Sequence, residues 1–119
     1  MKIAVPTLGN RGLKERVAEH FGRCPIYTII DNEEKQITVI NNTSSHNGGK
    51  GLPPELLRQN DINVLLCKKI GPKAIEMCKY FNIEVYVDSS DTVEKMYDKW
   101  KNNQLHKASI DDVCEEHRS

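Results

Sequence analysis

A histidine and a cysteine stand four residues apart near the start of the chain, in the run His20-Phe21-Gly22-Arg23-Cys24-Pro25. Imidazole and thiolate groups are good ligands for soft or borderline metals, and neither residue lies in a periodic apolar segment. A lone histidine is also often a surface residue, and a lone cysteine is often a small buried apolar residue. The spacing indicates a candidate metal-contacting loop, with Gly22 and Arg23 between the two ligands.

A second histidine lies in another glycine-rich connection, where His46 is followed by Gly48 and Gly49. Long connections without secondary structure are uncommon in compact domains and are often functional. If both connections lie at the same edge of a sheet, His20, Cys24 and His46 surround one shared site. We therefore treat these three residues as the candidate metal ligands.

Two lysines follow the apolar run that ends at Cys67, and Gly71 then opens a predicted helix. In open α/β sheets, ligands bind beyond the carboxyl ends of parallel strands. A helix N-terminus favours an anion there, and Lys68 and Lys69 add positive charge. The alternative is that the two lysines form only a solvated strand end. Soft ligands beside positive charge suit an anionic metal–sulfur species better than a bare structural cation.

Other kinds of site fit the sequence less well. Structural zinc sites use four Cys or His ligands at spacings such as CxxC. No such pair occurs among the four cysteines, which are Cys24, Cys67, Cys78 and Cys114. Cys78 lies on the apolar stripe of a predicted helix and is assigned to the core, and Cys114 with His117 in the tail is a minor candidate pair.

The sequence matches the motifs of common enzyme classes poorly. The carboxylate cluster of a two-metal nuclease is missing from the end of the first strand, and Gly48-Gly49-Lys50-Gly51 matches neither a phosphate loop nor a dinucleotide motif. A thiol nucleophile at Cys24 with His20 as its base is an alternative, although no third group that orients the base is evident. We expect a binding protein rather than an enzyme.

The 119 residues are expected to form one domain, and 17 basic residues balance 17 acidic ones. Zero net charge argues against a dedicated nucleic-acid binder, whose affinity depends on phosphate neutralisation. The chain has no apolar run long enough for a membrane span or a signal peptide, so we expect a cytoplasmic protein with reduced cysteines.

The elements that must position the candidate site follow from the hydrophobic pattern. Strands are expected at residues 2–7, 26–31, 36–41, 62–67 and 84–88, with the second and third joined as a hairpin. Helices are expected from Pro53, from Pro72, and after Asp91, which with Glu94 has the spacing of a capping box. This order predicts an α/β domain with a mixed sheet and helical crossovers between parallel strands.

Three segments together resemble the dinitrogenase iron–molybdenum cofactor biosynthesis family. They are Glu19 to Pro25 before a strand that ends in Asp31, the His46 loop that leads to Pro53-Pro54-Glu55-Leu56-Leu57, and Ile70-Gly71-Pro72-Lys73-Ala74-Ile75 followed by Ile83-Glu84-Val85-Tyr86. The resemblance runs from Met1 to about Leu105. The ordered set is far more specific than any one of its motifs.

The resemblance implies a ribonuclease H-like motif fold with a five-stranded mixed sheet and helices on both faces. It implies one nitrogenase-accessory-factor-like domain over residues 1–105, with residues 106–119 as a polar tail. Larger members bind and carry the iron–molybdenum cofactor or its precursors, and the cofactor-contacting histidine of the family matches His20. Where members commonly have a glycine pair, this chain has Lys68-Lys69, which strengthens the attraction of an anion.

Our leading hypothesis is non-catalytic binding or carriage of an anionic iron–molybdenum or other metal–sulfur cofactor, with a donor or acceptor protein as a possible partner. The contact set is His20, Gly22, Arg23, Cys24, His46, Gly48, Gly49, Lys68, Lys69 and Gly71. The alternatives are a ligand-free interaction or regulatory module of the same fold, and a small thiol-dependent enzyme.

Overall fold

The computed structural model describes residues 1–43 and 52–108. Its strands and helices follow the predicted order closely. They are β1 (Lys2–Thr7), β2 (Ile26–Asp31), β3 (Gln36–Asn41), α1 (Pro53–Gln59), β4 (Val64–Cys67), α2 (Pro72–Tyr80), β5 (Glu84–Val87), α3 (Val93–Lys101) and β6 (His106–Lys107), with one 3-10 turn at Gly12–Lys14.

The strands form one mixed sheet in the order β3-β2-β1-β4-β5-β6. β1, β4 and β5 run parallel, β1 to β3 form an antiparallel meander, and β6 runs antiparallel to β5. The predicted hairpin and the parallel core are therefore confirmed. The sheet has six strands rather than five, because β6 adds two residues from the segment expected to be a polar tail. Both β6 residues are exposed, so they give no apolar alternation that predicts a strand.

Helices cover both faces of the sheet, as expected. On one face, Leu57 of α1 and Ile75 of α2 pack in a cluster with Leu65 of β4. On the other face, Met96 of α3 packs in a cluster with Leu66, the next residue of β4. All four residues of β4 are buried, because a central parallel strand is covered on both sides. The ribonuclease H-like classification remains a prediction.

The third helix begins one residue later than its sequence motif suggests. Thr92, not Asp91, is the N-cap residue, and its side chain accepts a hydrogen bond from the backbone N–H of Lys95. Asp91 instead directs its carboxylate to Lys68. Among the described residues, no helix is long and apolar enough to cross a membrane.

Candidate functional site

The connection between β1 and β2 lies along the carboxyl edge of the parallel strands. Val17 pairs with Thr7 at the end of β1, and the Val17 N–H donates to the carbonyl of Asp91 at 2.8 Å. The Ala18 N–H donates to the carbonyl of Pro6 at 2.8 Å. These bonds tie the connection to β1 on one side and to the β5–α3 loop on the other, so this long loop has fixed backbone partners.

A buried carboxylate organises the first half of this connection. Glu15 is 3% exposed and accepts hydrogen bonds from the backbone N–H groups of Arg11 and Arg16 and from the Arg11 guanidinium. The Arg11 side chain is the main cause that holds the pKa of Glu15 below its usual value. Gly9 lies against this carboxylate, and a Cβ there would approach Glu15 Oε1 to 2.7 Å.

The structure brings His20 to the carboxyl end of β4. The backbone of His20 forms a parallel bridge with Lys69, and the Phe21 N–H donates to the Lys69 carbonyl at 2.9 Å. The His20 side chain is exposed, whereas Phe21 packs on the core and its ring lies 5.8 Å from that of Tyr27. Phe21 therefore anchors the loop while the imidazole next to it stays accessible.

The loop then turns at Gly22, whose φ of 92° is in the region that favours glycine. The Asn42 side-chain amide donates to the carbonyls of Gly22 and Cys24 at 3.0 and 2.8 Å, which joins the loop to the end of β3. Arg23 between them is exposed. Gly22 thus serves the shape of the loop, and His20 and Arg23 are its accessible side chains.

The structure does not bring Cys24 to the surface with His20. Cys24 is 4% exposed and belongs to the apolar cluster that contains Tyr27, and burial raises the pKa of its thiol. The Tyr27 hydroxyl is buried and makes no hydrogen bond within the described residues. Burial, with the Cys24 thiol nearby, also raises the pKa of Tyr27. This sulfur faces the core in the conformation described.

The other two described cysteines are also core residues. Cys67 and Cys78 are fully buried, and burial raises the pKa of Cys67 and raises that of Cys78 to about 12. The assignment of Cys78 to the core is confirmed. The other members of the predicted set, His46, Gly48 and Gly49, lie outside the described residues, as do Cys114 and His117.

The two lysines border an open pocket of about 330 Å³ at the carboxyl ends of β4 and β5. Its lining residues are Glu19, Lys68, Lys69, Val87, Asp88 and Ser89. Gly71 follows the lysines as the exposed N-cap of α2. The predicted neighbourhood of the His20 loop and the lysines is therefore present at this edge of the sheet.

Both lysines already have acidic partners. Lys68 Nζ lies 3.3 Å from Asp91 Oδ1 and 3.9 Å from Glu19 Oε2, and Lys69 Nζ lies 3.6 Å from Glu19 Oε1. Glu19 and Asp91 were not predicted as site residues, because their ion pairs with the lysines form only when distant segments of the chain meet. Glu15 was also missed, although its i, i+4 spacing from Arg11 was a visible signal.

The described residues hold no group of three or more His, Cys, Asp or Glu side chains arranged to bind a metal ion. His20 is exposed and its backbone bridges to Lys69, which lines the pocket together with Lys68. An accessible imidazole can contact a ligand at one point, and the two lysines can attract an anion only where it replaces their acidic partners. This arrangement does not enclose a bare ion with several protein ligands.

The family model described as dinitrogenase iron-molybdenum cofactor matches residues 1–103. The chain belongs to this family. A relative from Methanocaldococcus jannaschii, itself uncharacterised, is 30% identical over 113 residues, which cover 90% of this chain and 91% of the relative. The resemblance found in the sequence is therefore confirmed.

Two solved structures of similar length share the fold of this family member. The apo form of the orange protein from Desulfovibrio gigas has a TM-score of 0.78 and 26% identity, and the match covers 91% of this chain and 92% of the other. A Thermotoga protein described as a candidate NifB has a TM-score of 0.75 and 26% identity, with 89% and 91% coverage. The α/β architecture is thus common to all three chains.

Proposed function

We propose that this protein binds and carries an anionic metal–sulfur cofactor, of the iron–molybdenum type or a precursor of it, and catalyses no reaction on it. The observation that carries this proposal is the exposed His20 imidazole, joined through its backbone to Lys69 beside a pocket lined by two lysines. Membership of the dinitrogenase iron-molybdenum cofactor family supports the class of ligand. The name of the orange protein structure, an apo form, supports a protein that takes up a ligand.

His20 and the two lysines suit the binding of a preassembled cluster better than the coordination of a single metal ion by several protein ligands. One accessible imidazole can attach a cluster whose metals already have sulfide ligands, and lysines offset its negative charge. His20 is the proposed ligand, Arg23 and the Lys68–Lys69 pair are the proposed counter-charges, and the His46 loop stays a proposed contact. Cys24 is left out of the direct contacts because its thiol is buried. A protein that donates or accepts the cofactor is the proposed partner.

The experiment is anaerobic reconstitution with ferrous iron, molybdate and sulfide, followed by gel filtration, metal analysis and visible absorbance of the protein fraction. Loss of a second-shell partner already costs about 10- to 100-fold in metal affinity, so His20→Ala should lose the metal and the absorbance. Glu34→Gln changes an exposed residue of the β2–β3 turn, which lies beside the start of β1 at the opposite end of the sheet, and this variant should load like wild type. Equal loading of wild type and His20→Ala would overturn the proposed site.

A second candidate is a ligand-free interaction or regulatory module of the same fold. The ion pairs of Lys68 and Lys69 with Glu19 and Asp91 favour it, because they already neutralise the positive charge that a ligand would use. This candidate predicts that wild-type protein retains no metal after reconstitution. The thiol-enzyme alternative has less support, since burial raises the pKa of Cys24 and only the thiolate is a strong nucleophile.

A further inference from the structure

The carboxylate of Glu19 spans the two lysines of the pocket. Its Oε1 lies 3.6 Å from Lys69 Nζ and its Oε2 lies 3.9 Å from Lys68 Nζ. Glu19 and both lysines line the same pocket of about 330 Å³. The position that an anionic ligand would take between the lysines is therefore held by an anionic group of the protein itself.

Glu19 is also part of the loop that carries the proposed ligand residue. It directly precedes His20, whose backbone bridges to Lys69, so the backbone of both residues is attached at the carboxyl end of β4. An anionic group that takes the position between the two lysines displaces the Glu19 side chain. Release of Glu19 from the lysines and binding of a ligand at His20 are therefore coupled through one short segment of backbone.

We propose that Glu19 is an intramolecular competitor for the cofactor, which neutralises the lysine pair in the free protein and leaves it when an anionic ligand binds. This inference rests on the proposed function. The competition favours a ligand that carries more negative charge between the lysines than the single carboxylate it replaces. The ligand class is then a polyanionic metal–sulfur species rather than a singly charged anion.

The other acidic residues near the pocket are less suited to this role. Asp88 accepts hydrogen bonds from the backbone and hydroxyl of Ser90 and pairs with Lys99 at 3.2 Å, so it is engaged away from the two lysines. Asp91 contacts Lys68 at 3.3 Å. Glu19 reaches both lysines and is 54% exposed. Because water screens the attraction at these distances, breaking the two ion pairs costs little free energy.

The experiment measures anaerobic binding of tetrathiomolybdate, a doubly charged molybdenum–sulfur anion, by titration calorimetry at fixed ionic strength. Glu19→Gln should bind about 3- to 10-fold more tightly than wild type, since two exposed ion pairs no longer compete. Glu34→Gln removes the same charge from the β2–β3 turn, at the end of the sheet opposite the pocket. This variant should bind tetrathiomolybdate with the affinity of wild type.

A double-mutant cycle separates local competition from a general change of charge. In a Lys69→Gln background, the gain from Glu19→Gln should shrink, because the carboxylate then competes at one lysine instead of two. An unchanged affinity in Glu19→Gln, an equal gain in Glu34→Gln, or a fully additive cycle would overturn the inference. Absence of tetrathiomolybdate binding to all variants would overturn it too, whereas the proposed function is judged separately by iron–molybdenum–sulfide loading of wild type and His20→Ala.

Discussion

The Cys24 side chain lies beneath the His20 loop, in the same apolar cluster as Tyr27. Its residue type suits metal binding or nucleophilic chemistry, but both uses need the thiolate at an accessible position. Burial opposes ionisation and raises the pKa of this thiol. At the scale of single residues, accessibility therefore separates His20 from Cys24, although the two stand only four positions apart.

This difference predicts the alkylation pattern of the folded protein. At pH 8, iodoacetamide should modify Cys24, Cys67 and Cys78 roughly tenfold or more slowly than in the denatured chain, because burial limits both access and thiolate formation. Each cysteine falls in a different tryptic peptide, so peptide mapping by mass spectrometry measures every rate separately. Labelling of Cys24 in the folded protein at the denatured rate would restore the thiol-enzyme alternative.

Residue types alone could predict His20, Lys68 and Lys69 as neighbours, since the carboxyl end of a buried strand is where α/β sheets collect ligands. Residue types could not predict that Glu19 and Asp91 form ion pairs with these lysines. Asp91 is 23 positions from Lys68, and its carboxylate reaches that lysine only because the β5–α3 loop folds over the end of β4. Such pairs depend on tertiary packing and leave no local pattern in the sequence.

At the scale of elements, the bounds of β1, β2 and β3 agree with the residues predicted from alternating and apolar runs. Two details went wrong for identifiable reasons. Thr92 rather than Asp91 caps α3, and the Asp91 carboxylate contacts Lys68 instead, a long-range contact that the local motif does not contain. β6 was missed because its two residues are polar and exposed. The β1–β2 connection was expected to be a long segment without secondary structure, yet backbone and side-chain hydrogen bonds hold it to distant residues.

Substitution of Glu15 tests how much the β1–β2 connection contributes to the stability of the fold. Glu15→Gln should lower the free energy of unfolding by about 1–2 kcal/mol at pH 7, because the amide cannot replace all of the bonds that the buried carboxylate accepts. Chemical denaturation followed by circular dichroism measures the change. Glu34→Gln, an exposed site in the β2–β3 turn, is the matched control and should change stability little.

The stability difference between wild type and Glu15→Gln should depend on pH. Because the pKa of Glu15 is lower in the folded protein, its stabilisation is complete above the unfolded pKa of about 4.3 and is lost as pH falls through the folded pKa. The stability gap between wild type and Glu15→Gln should therefore be constant from pH 7 to about 5 and should narrow at lower pH. A gap that widens under acid would contradict the assigned role of the carboxylate.

At the scale of the whole molecule, β4 joins the two apolar clusters that lie on opposite faces of the sheet. Leu65 points into the cluster with α1 and α2, and Leu66 points into the cluster with α3. Since one strand serves both clusters, loss of either should loosen the carboxyl end of β4, where Lys68 and Lys69 stand. The site and the two cores are then expected to unfold as one cooperative unit.

Leu65→Ala tests this cooperativity, because it opens a cavity on the face opposite α3. A buried Leu→Ala change costs about 2–5 kcal/mol, so the unfolding midpoint should fall clearly. Trp100, the single tryptophan, packs against the α3 cluster and reports on the other face. In a denaturant titration, tryptophan fluorescence and far-ultraviolet circular dichroism should shift together to the same lower midpoint. A fluorescence midpoint that stays at the wild-type value while the dichroism midpoint falls would mean that the two faces unfold independently, and mutations on the α1–α2 face would then leave the α3 face intact.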